Sequence, residues 1–156
     1  MMGDKDFLIR AIRLAEDGIK EGGGPFGAII VLNGEIISEA TNKVVHSNDP
    51  TAHAEILAIR QASKVLATHC LNNCVLYTSC EPCPMCLGAI YWSGIKTVYF
   101  AADRQDAETA GFSDKYIYDE ISLSHEKRHI LFKRLSDVDG IEVFRIWDRF
   151  ENKIRY

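Results

Sequence analysis

The feature that most restricts the fold of this chain is a set of metal-ligating residue types divided between two distant segments. His53 and Glu55 belong to the first segment, and Cys83 and Cys86 belong to the second. At the start of a helix, the spacing of the two cysteines places both sulfurs on one face, one turn apart. The unpaired N–H groups and the dipole of a helix N-terminus also favour a thiolate over a thiol. A fold that uses these residues together must bring two helix N-termini to one place.

His53, Cys83 and Cys86 predict one zinc ion per chain. Zinc takes tetrahedral sites built from thiolate and imidazole ligands, and three protein ligands leave a fourth position for water, as in catalytic sites. Zinc lowers the pKa of that water toward neutrality. Glu55 lies two residues after the ligand His53, so its carboxylate is placed to carry protons to and from the water. We therefore expect hydrolytic chemistry.

Other uses of the cysteines are open at this point. Cys70 and Cys74 could join the pair at 83 and 86 in a closed four-cysteine zinc site, but the histidine and the glutamate would then have no part. Disulfides are disfavoured because the count of five cysteines is odd and cytoplasmic thiols stay reduced. We interpret Cys70, Cys74 and Cys80 as small buried residues or bystanders.

Length and composition limit the class of protein. A chain of 156 residues, 47% hydrophobic and 26% charged, is typical of one globular domain, here residues 1–156. No apolar run approaches the length of a membrane span and no signal peptide is visible, so we expect a cytoplasmic protein with no membrane contact. The net charge of −4 argues against a nucleic-acid partner, because phosphate binding needs a basic surface.

The order of predicted elements indicates an α/β fold. Asn33-Gly34 predicts a tight hairpin between the first two strands. Strands are predicted at residues 26–32, 35–40, 75–78, 97–101 and 130–135. Helices are predicted at 7–19, 51 to about 66, 82–92, 103–110, 113–120 and 138–150, with Asp49 or Thr51 as the cap of the second and His53 in its first turn. This order predicts a three-layer α/β/α sandwich with a mixed five-stranded sheet.

The succession of His-x-Glu and then Pro-Cys-x-x-Cys is the pattern of zinc nucleobase deaminases, and the chain is identified by it as a member of the cytidine deaminase-like superfamily. Longer stretches resemble the bacterial guanine deaminases over nearly the whole chain. They are residues 24–28, 48–55 and 79–92, then Ala110-Gly111-Phe112 followed by Asp114, and an aromatic residue at the end. The metal motifs are common to the superfamily and do not distinguish its families from one another. Trp92, Asp114 and Tyr156 do most to make the chain resemble the guanine deaminases in particular.

The resemblance implies a zinc enzyme that hydrolyses guanine, a small purine base, to xanthine and ammonia. It implies that Glu55 and Asp114 are catalytic, with Asp114 a second carboxylate that reads the base and helps the amine to leave. The implied pocket residues are Phe26, Asn42, Ala54, Trp92 and Tyr156. Asn42 would hydrogen-bond the purine edge, Phe26 and Trp92 would be walls of the base slot, and Ala54 would offer its backbone N–H beside the metal.

The resemblance also implies a homodimer. Its C-terminal helix and tail, residues 138–156, would be exchanged between subunits, and Tyr156 would close the pocket of the other subunit. Judged only by residue type and position, a chain end is commonly frayed, Asn42 suits a turn, Asp114 suits a helix cap, and aromatic residues suit a core.

Rival functions also remain open. A tRNA adenosine deaminase has the same metal motifs, but it should need a basic surface for the anticodon stem. A cytosine or cytidine deaminase fits less of the chain. A zinc-stabilised binding module without enzymatic activity is the alternative outside enzymes.

Overall fold

The computed structural model describes residues 2–156, which divide into two compact units. The first unit ends at Lys115 and the second is Tyr116–Tyr156. The elements of the first unit, in chain order, are α1 (Asp4–Lys20), β1 (Gly27–Leu32), β2 (Glu35–Thr41), α2 (Val44–Ser47), α3 (Ala54–Val65), β3 (Cys74–Cys80), α4 (Pro84–Ser93), β4 (Thr97–Ala102) and α5 (Arg104–Thr109). Next come α6 (Lys115–Ser122), a 3₁₀ turn (His125–Lys127) and α7 (Ile141–Arg149).

Within residues 2–156, four strands form a mixed sheet in the order β2-β1-β3-β4. β1 is antiparallel to both β2 and β3, whereas β3 and β4 are parallel and are connected through α4. Asn33 and Gly34 both have positive φ angles, 52° and 82°, as a two-residue hairpin turn requires. The parallel crossover places the N-terminus of α4 at the carboxyl end of β3, which is where α/β sheets commonly bind ligands.

Two cores cover the opposite faces of the sheet. On one face, Ile29 and Val31 of β1 pack with Phe7 and Ala11 of α1 and with Tyr77 of β3. On the other face, alternate side chains of the same strands pack with α3 and α4; the buried members are Ala28, Ile30, Ala54, Ala58, Ile59, Ala62, Leu71, Cys74, Leu76, Ile90 and Ile95. Because successive side chains of a strand point to opposite faces, β1 contributes to both cores. The predicted α/β class with a mixed sheet is confirmed.

The prediction of a fifth strand at residues 130–135 is wrong. The backbone there is irregular, and the sheet of the described chain has four strands. The apolar, β-branched composition of this stretch favours an extended chain, but a strand also needs a neighbouring backbone with which to form a ladder. Phe132 instead stacks on His125, with ring centroids 4.9 Å apart, and lies under the Arg128 guanidinium.

The predicted starts of the two metal-binding helices are also wrong by a few residues. α3 begins at Ala54 rather than Thr51, and α4 begins at Pro84 rather than Pro82. Asp49 does not cap α3, because its carboxylate accepts the backbone N–H and the hydroxyl of Thr51 and closes a separate turn. The short helix α2 lies between β2 and α3, where no helix or strand was predicted.

The second unit contains no buried residue. Within this unit, Glu120 accepts a hydrogen bond from the backbone N–H of His129 at 2.8 Å and pairs with the His129 ring at 2.8 Å. Arg128 donates to the backbone carbonyls of Glu120 and Leu123, close to the end of α6. Across residues 2–156, no helix combines the length and the apolar character needed to cross a bilayer.

Candidate metal centre

The two metal-binding segments end in the same local structure. His53 is the N-cap of α3 and Cys83 is the N-cap of α4, and both have extended backbones, with φ and ψ of −70° and 153° and of −67° and 169°. The His53 side chain does not bond to the N–H groups of its own helix, as an N-cap side chain commonly does. Pro84 at the first position of α4 suits a helix start, since its missing N–H would have had no partner there. The extended cap residues leave the imidazole and the thiol available for a ligand.

The ligand atoms of His53, Cys83 and Cys86 lie within 4.8 Å of one another. The Nδ1 atom of His53 is 3.5 Å from the Cys83 sulfur and 3.6 Å from the Cys86 sulfur. A tetrahedral zinc with ordinary bond lengths would separate a sulfur and a nitrogen ligand by about 3.5 Å. Both the donor set and the spacing therefore fit zinc. Within residues 2–156, no other group of three or more His, Cys, Asp or Glu residues is placed so that it could hold a metal ion.

The four-cysteine alternative has no support in the geometry. Cys70 is exposed and Cys74 is buried in the core, and neither belongs to the ligand group. The Cys86 side chain and the His53 ring hydrogen-bond to Cys83 and lower the pKa of its thiol. The same contact with Cys83 raises the pKa of His53. The cluster thus already favours a thiolate at Cys83.

Glu55 is a buried carboxyl beside the ligands, with 5% of its surface exposed. Its Oε1 atom accepts from the Thr78 hydroxyl at 3.3 Å, and its Oε2 atom lies 3.4 Å from the Cys86 sulfur. Burial raises the pKa of the Glu55 carboxyl, because a charged carboxylate loses its hydration there. A raised pKa makes a carboxyl better able to hold a proton and give it up again, as a general acid–base must. Thr78, which sequence analysis did not single out, orients this carboxyl from β3.

Ala54 occupies the first position of α3, between the ligand and the carboxyl, and is fully buried. The first N–H groups of a helix have no carbonyl partner within the helix. The N–H of Ala54 makes no hydrogen bond within the described chain, so it can donate to a bound molecule. This is the backbone position expected from the resemblance.

Asn42 and Phe26 lie together at the end of the β1–β2 hairpin, where the N–H of Asn42 donates to the carbonyl of Phe26 at 3.0 Å. The Asn42 side chain is 7% exposed, and its Oδ1 atom accepts the N–H of Val44 at 3.2 Å. A backbone N–H can only donate, so the amide oxygen is identified by its partner, and the amide nitrogen remains as a donor. Phe26 packs edge-to-face on Phe112, with centroids 5.0 Å apart. Phe112 belongs to the quoted motif at 110–112, but no role was predicted for it.

Asp114 is half-buried in the first unit. Burial and the negative charge of Cys83 raise the pKa of Asp114, while Arg104 opposes them. Arg104 also pairs with Glu81 at 3.2 Å. The Asp114 carboxyl is therefore within electrostatic reach of Cys83.

The structure does not bring Trp92 to the ligands of its own helix. Trp92 lies in the last turn of α4, six positions beyond Cys86, which corresponds to about 9 Å along a helix axis. Its side chain is 72% exposed. Tyr156 belongs to the second unit and is 84% exposed. Pocket roles for these two aromatic residues stay predictions.

Comparisons with known proteins agree with this centre. A family model for the cytidine and deoxycytidylate deaminase zinc-binding region matches residues 1–102. The chain is similar to a guanine deaminase of Bacillus subtilis, with 53% identity over 156 residues that cover 99% of this chain and 100% of that protein. An X-ray structure of guanine deaminase from Bacillus subtilis has a TM-score of 0.97 and 52% identity, covering 99% of both chains.

A second kind of relative matches a shorter part of the chain. A tRNA-specific adenosine deaminase of Aquifex aeolicus is 46% identical over 125 residues, which cover 80% of this chain and 82% of that protein. Both kinds of relative include the segments that carry the ligands His53, Cys83 and Cys86, as does the family model. Ligand geometry and sequence similarity lead to one conclusion: the chain belongs to the cytidine and deoxycytidylate deaminase family of zinc-binding deaminases.

Proposed function

We propose that the chain hydrolyses guanine to xanthine and ammonia. The observation that carries this proposal is the similarity to a guanine deaminase over 99% of the chain, because it continues through the segment beyond residue 102, where the family model stops. The matched tRNA-specific adenosine deaminase covers 80% of the chain. A buried carboxyl beside a three-ligand metal centre supplies the hydrolytic machinery that such a reaction needs.

In the proposed mechanism, His53, Cys83 and Cys86 would hold a zinc ion, which would supply Lewis-acid chemistry and lower the pKa of a water molecule at the site. Glu55 would take a proton from the attacking water while the water oxygen forms a bond to C2 of guanine, and it would deliver that proton to N3 of the ring. Glu55 then assists proton transfer to the departing amine, so that one water is consumed and one ammonia is released. The N–H of Ala54 stabilises charge that develops beside the metal.

The base would be held by a slot that is polar along one edge. The Asn42 amide nitrogen faces a ligand as a donor, so it suits a purine acceptor such as the carbonyl oxygen or ring nitrogen of guanine. Phe26, supported by Phe112, offers an aromatic wall. Asp114 would accept from the base and help the amine to leave, since a carboxyl with a raised pKa can carry a proton.

We further propose a homodimer that exchanges its C-terminal segments, residues 138–156, so that the two units of the chain function as one deaminase domain over 1–156. In the single chain, no residue of the second unit is buried, although this unit is rich in apolar side chains such as Phe144 and Ile146. In the first unit, Tyr91, Trp92 and Phe100 are also exposed. A second copy that covered these apolar surfaces would complete the fold, and exchange of identical elements is a common route to dimers. Trp92 and Tyr156 would then act at the pocket of the other subunit.

A reducing compartment suits the proposed centre. Cys83 and Cys86 bind metal as thiolates and would be lost as ligands by oxidation. Thiols are kept reduced in the cytoplasm, so we propose a cytoplasmic location. The purine base would be the small-molecule partner, with no nucleic acid or membrane required.

The first prediction concerns the metal. Cys83→Ala removes one of three ligands, so we expect loss of zinc and a lower melting temperature, because metal binding contributes to folding. Cys70→Ala, a matched change at an exposed cysteine outside the centre, should keep one zinc per chain. Elemental analysis of both purified variants measures this. Full zinc content in the Cys83 variant would contradict the ligand assignment.

The second prediction concerns the proton shuttle. Glu55→Gln keeps the size and burial of the side chain but removes its acid–base function, so zinc should remain while kcat falls by ~10²–10⁴-fold. Glu35→Gln, the same change at an exposed hairpin position, should leave kcat unchanged. Steady-state ammonia release from guanine measures both. Turnover within a few fold of the unsubstituted chain would exclude Glu55 as the shuttle.

The third prediction tests the substrate directly. Guanine should be preferred over adenine by something on the order of 10⁴ in kcat/KM if buried polar groups read the groups that adenine lacks. Ammonia release is measured with guanine, adenine, cytosine and an RNA anticodon stem-loop that carries adenosine. A kcat/KM for the stem-loop that equals or exceeds that for guanine would favour the tRNA adenosine deaminase. Absence of any turnover would favour a zinc-stabilised binding module.

The fourth prediction concerns the exchanged tail. Deletion of residues 153–156 should keep zinc and the fold but sharply reduce guanine turnover, because a missing lid admits water and releases the base. A mixture of the deleted chain with the Glu55→Gln chain should regain activity, since a hybrid dimer can place an intact tail over an intact site. Each variant alone is the control. Lack of recovery after verified subunit exchange would indicate that each tail covers its own site.

A further inference from the structure

Gly24 lies between two residues of the proposed base slot. A Cβ atom built at this position would lie 3.2 Å from Cγ and 3.3 Å from Oδ1 of Asn42. On its other side the same Cβ would lie 3.4 Å from the Cδ2 atom of the Phe26 ring. Contacts of 3.2–3.3 Å are tighter than most Cβ atoms make, so the Asn42 amide would have to move by a few tenths of an ångström to admit a side chain at position 24.

The glycine at position 24 is not required by backbone conformation. Gly22, two residues earlier, has a φ of 85°, which disfavours residues other than glycine. The φ of Gly24 lies outside that left-handed region, so alanine could adopt the same backbone. The absence of a side chain at Gly24 therefore leaves space for the Asn42 amide and the Phe26 ring.

The backbone around Gly24 has little freedom to move away. Its carbonyl accepts the N–H of Phe26 at 2.9 Å, and the Phe26 carbonyl accepts the N–H of Asn42 at 3.0 Å. Gly23 is held by a 2.8 Å hydrogen bond to the carbonyl of Gly18, and a Cβ on Gly23 would lie 2.7 Å from the Asn42 carbonyl oxygen. The glycine pair thus packs against both the backbone and the side chain of Asn42.

A second set of contacts ties the same two segments together. The carboxylate of Glu21 pairs with Lys43 at 2.8 Å, and the backbone carbonyl of Glu21 lies 2.8 Å from Nε2 of His46. Lys43 directly follows Asn42 in the chain. Because both segments are anchored, crowding at position 24 would be relieved by the Asn42 side chain, which is held by the one hydrogen bond from Val44.

We infer that Gly24 is a positioning residue for substrate binding: by lacking a side chain, it lets the Asn42 amide and the Phe26 ring take the places from which they hold the base. This inference rests on the proposed function. A methyl group at position 24 would turn or displace the amide and alter the contact with the purine edge. We expect it to leave the metal ligands and Glu55 in place, since the three heavy atoms nearest the added Cβ all belong to Asn42 and Phe26.

The test compares Gly24→Ala with the unsubstituted zinc-loaded protein, using guanine. We expect KM to rise about tenfold with kcat within about threefold, because ground-state binding is lost while the catalytic groups are kept. Zinc content and melting temperature should stay unchanged. Gly3→Ala is the matched control, since its added Cβ meets nothing closer than 3.9 Å. A Gly24→Ala chain with unchanged KM, or with a fall in kcat alone, would overturn the inference.

A double-mutant cycle decides whether the effect passes through Asn42. In an Asn42→Ala background, Gly24→Ala should change kcat/KM by no more than about twofold, because the crowded amide is gone. The same fold-change in both backgrounds would overturn the inference. If Gly24→Ala alone proves unstable, recovery of the melting temperature in the double variant supports the inference, and its continued loss overturns it.

The cycle also separates the two proposals. If the unsubstituted chain does not release ammonia from guanine, both the proposed function and the inference fall. If it does, and Gly24→Ala has no effect on KM, only the inference falls.

Discussion

The site depends on the meeting of two helix N-termini at one end of a sheet. His53 and Cys83 are the N-caps of α3 and α4, and their ligand atoms are 3.5 Å apart. Their separation is set by packing of both helices on the same face of the sheet. Helix N-termini supply unpaired N–H groups and a positive dipole end, which stabilise thiolates and developing negative charge. One arrangement thus provides metal ligands, the orphan N–H of Ala54 and an environment suited to anions.

Burial of Glu55 is the unfavourable interaction that the fold tolerates at this site. A carboxyl with 5% exposure loses most of its hydration, and the Thr78 hydroxyl compensates for part of that loss. The result is a raised pKa, which suits a group that must both accept and release a proton. Such a residue would be a poor choice in a structural core, and its burial beside His53, Cys83 and Cys86 is what the proposed catalytic role would explain.

The proposed base slot would depend on close packing as much as on polar groups. Asn42 is oriented by Val44 and packed against a glycine, and Phe26 meets Phe112 edge-to-face. Position and orientation of these groups decide whether a base is read, because a displaced amide loses its hydrogen bond without any change in residue type. In the second unit, by contrast, the apolar side chains are not closely packed and remain exposed in the single chain.

Residue types and spacing alone predicted the metal-binding group and the α/β class, because His-x-Glu followed by Pro-Cys-x-x-Cys has few other uses, whereas the proton-shuttle role of Glu55 stays a prediction. Tertiary structure decided what depends on distant partners. Residues 130–135 have strand composition but no ladder, and α3 begins at Ala54 because Asp49 closes a separate turn with Thr51. The roles of Thr78, Phe112 and Gly24 were absent from any local pattern. They arise from contacts across elements, such as the Cβ-sized space shared by Gly24, Asn42 and Phe26, which only the folded chain brings together.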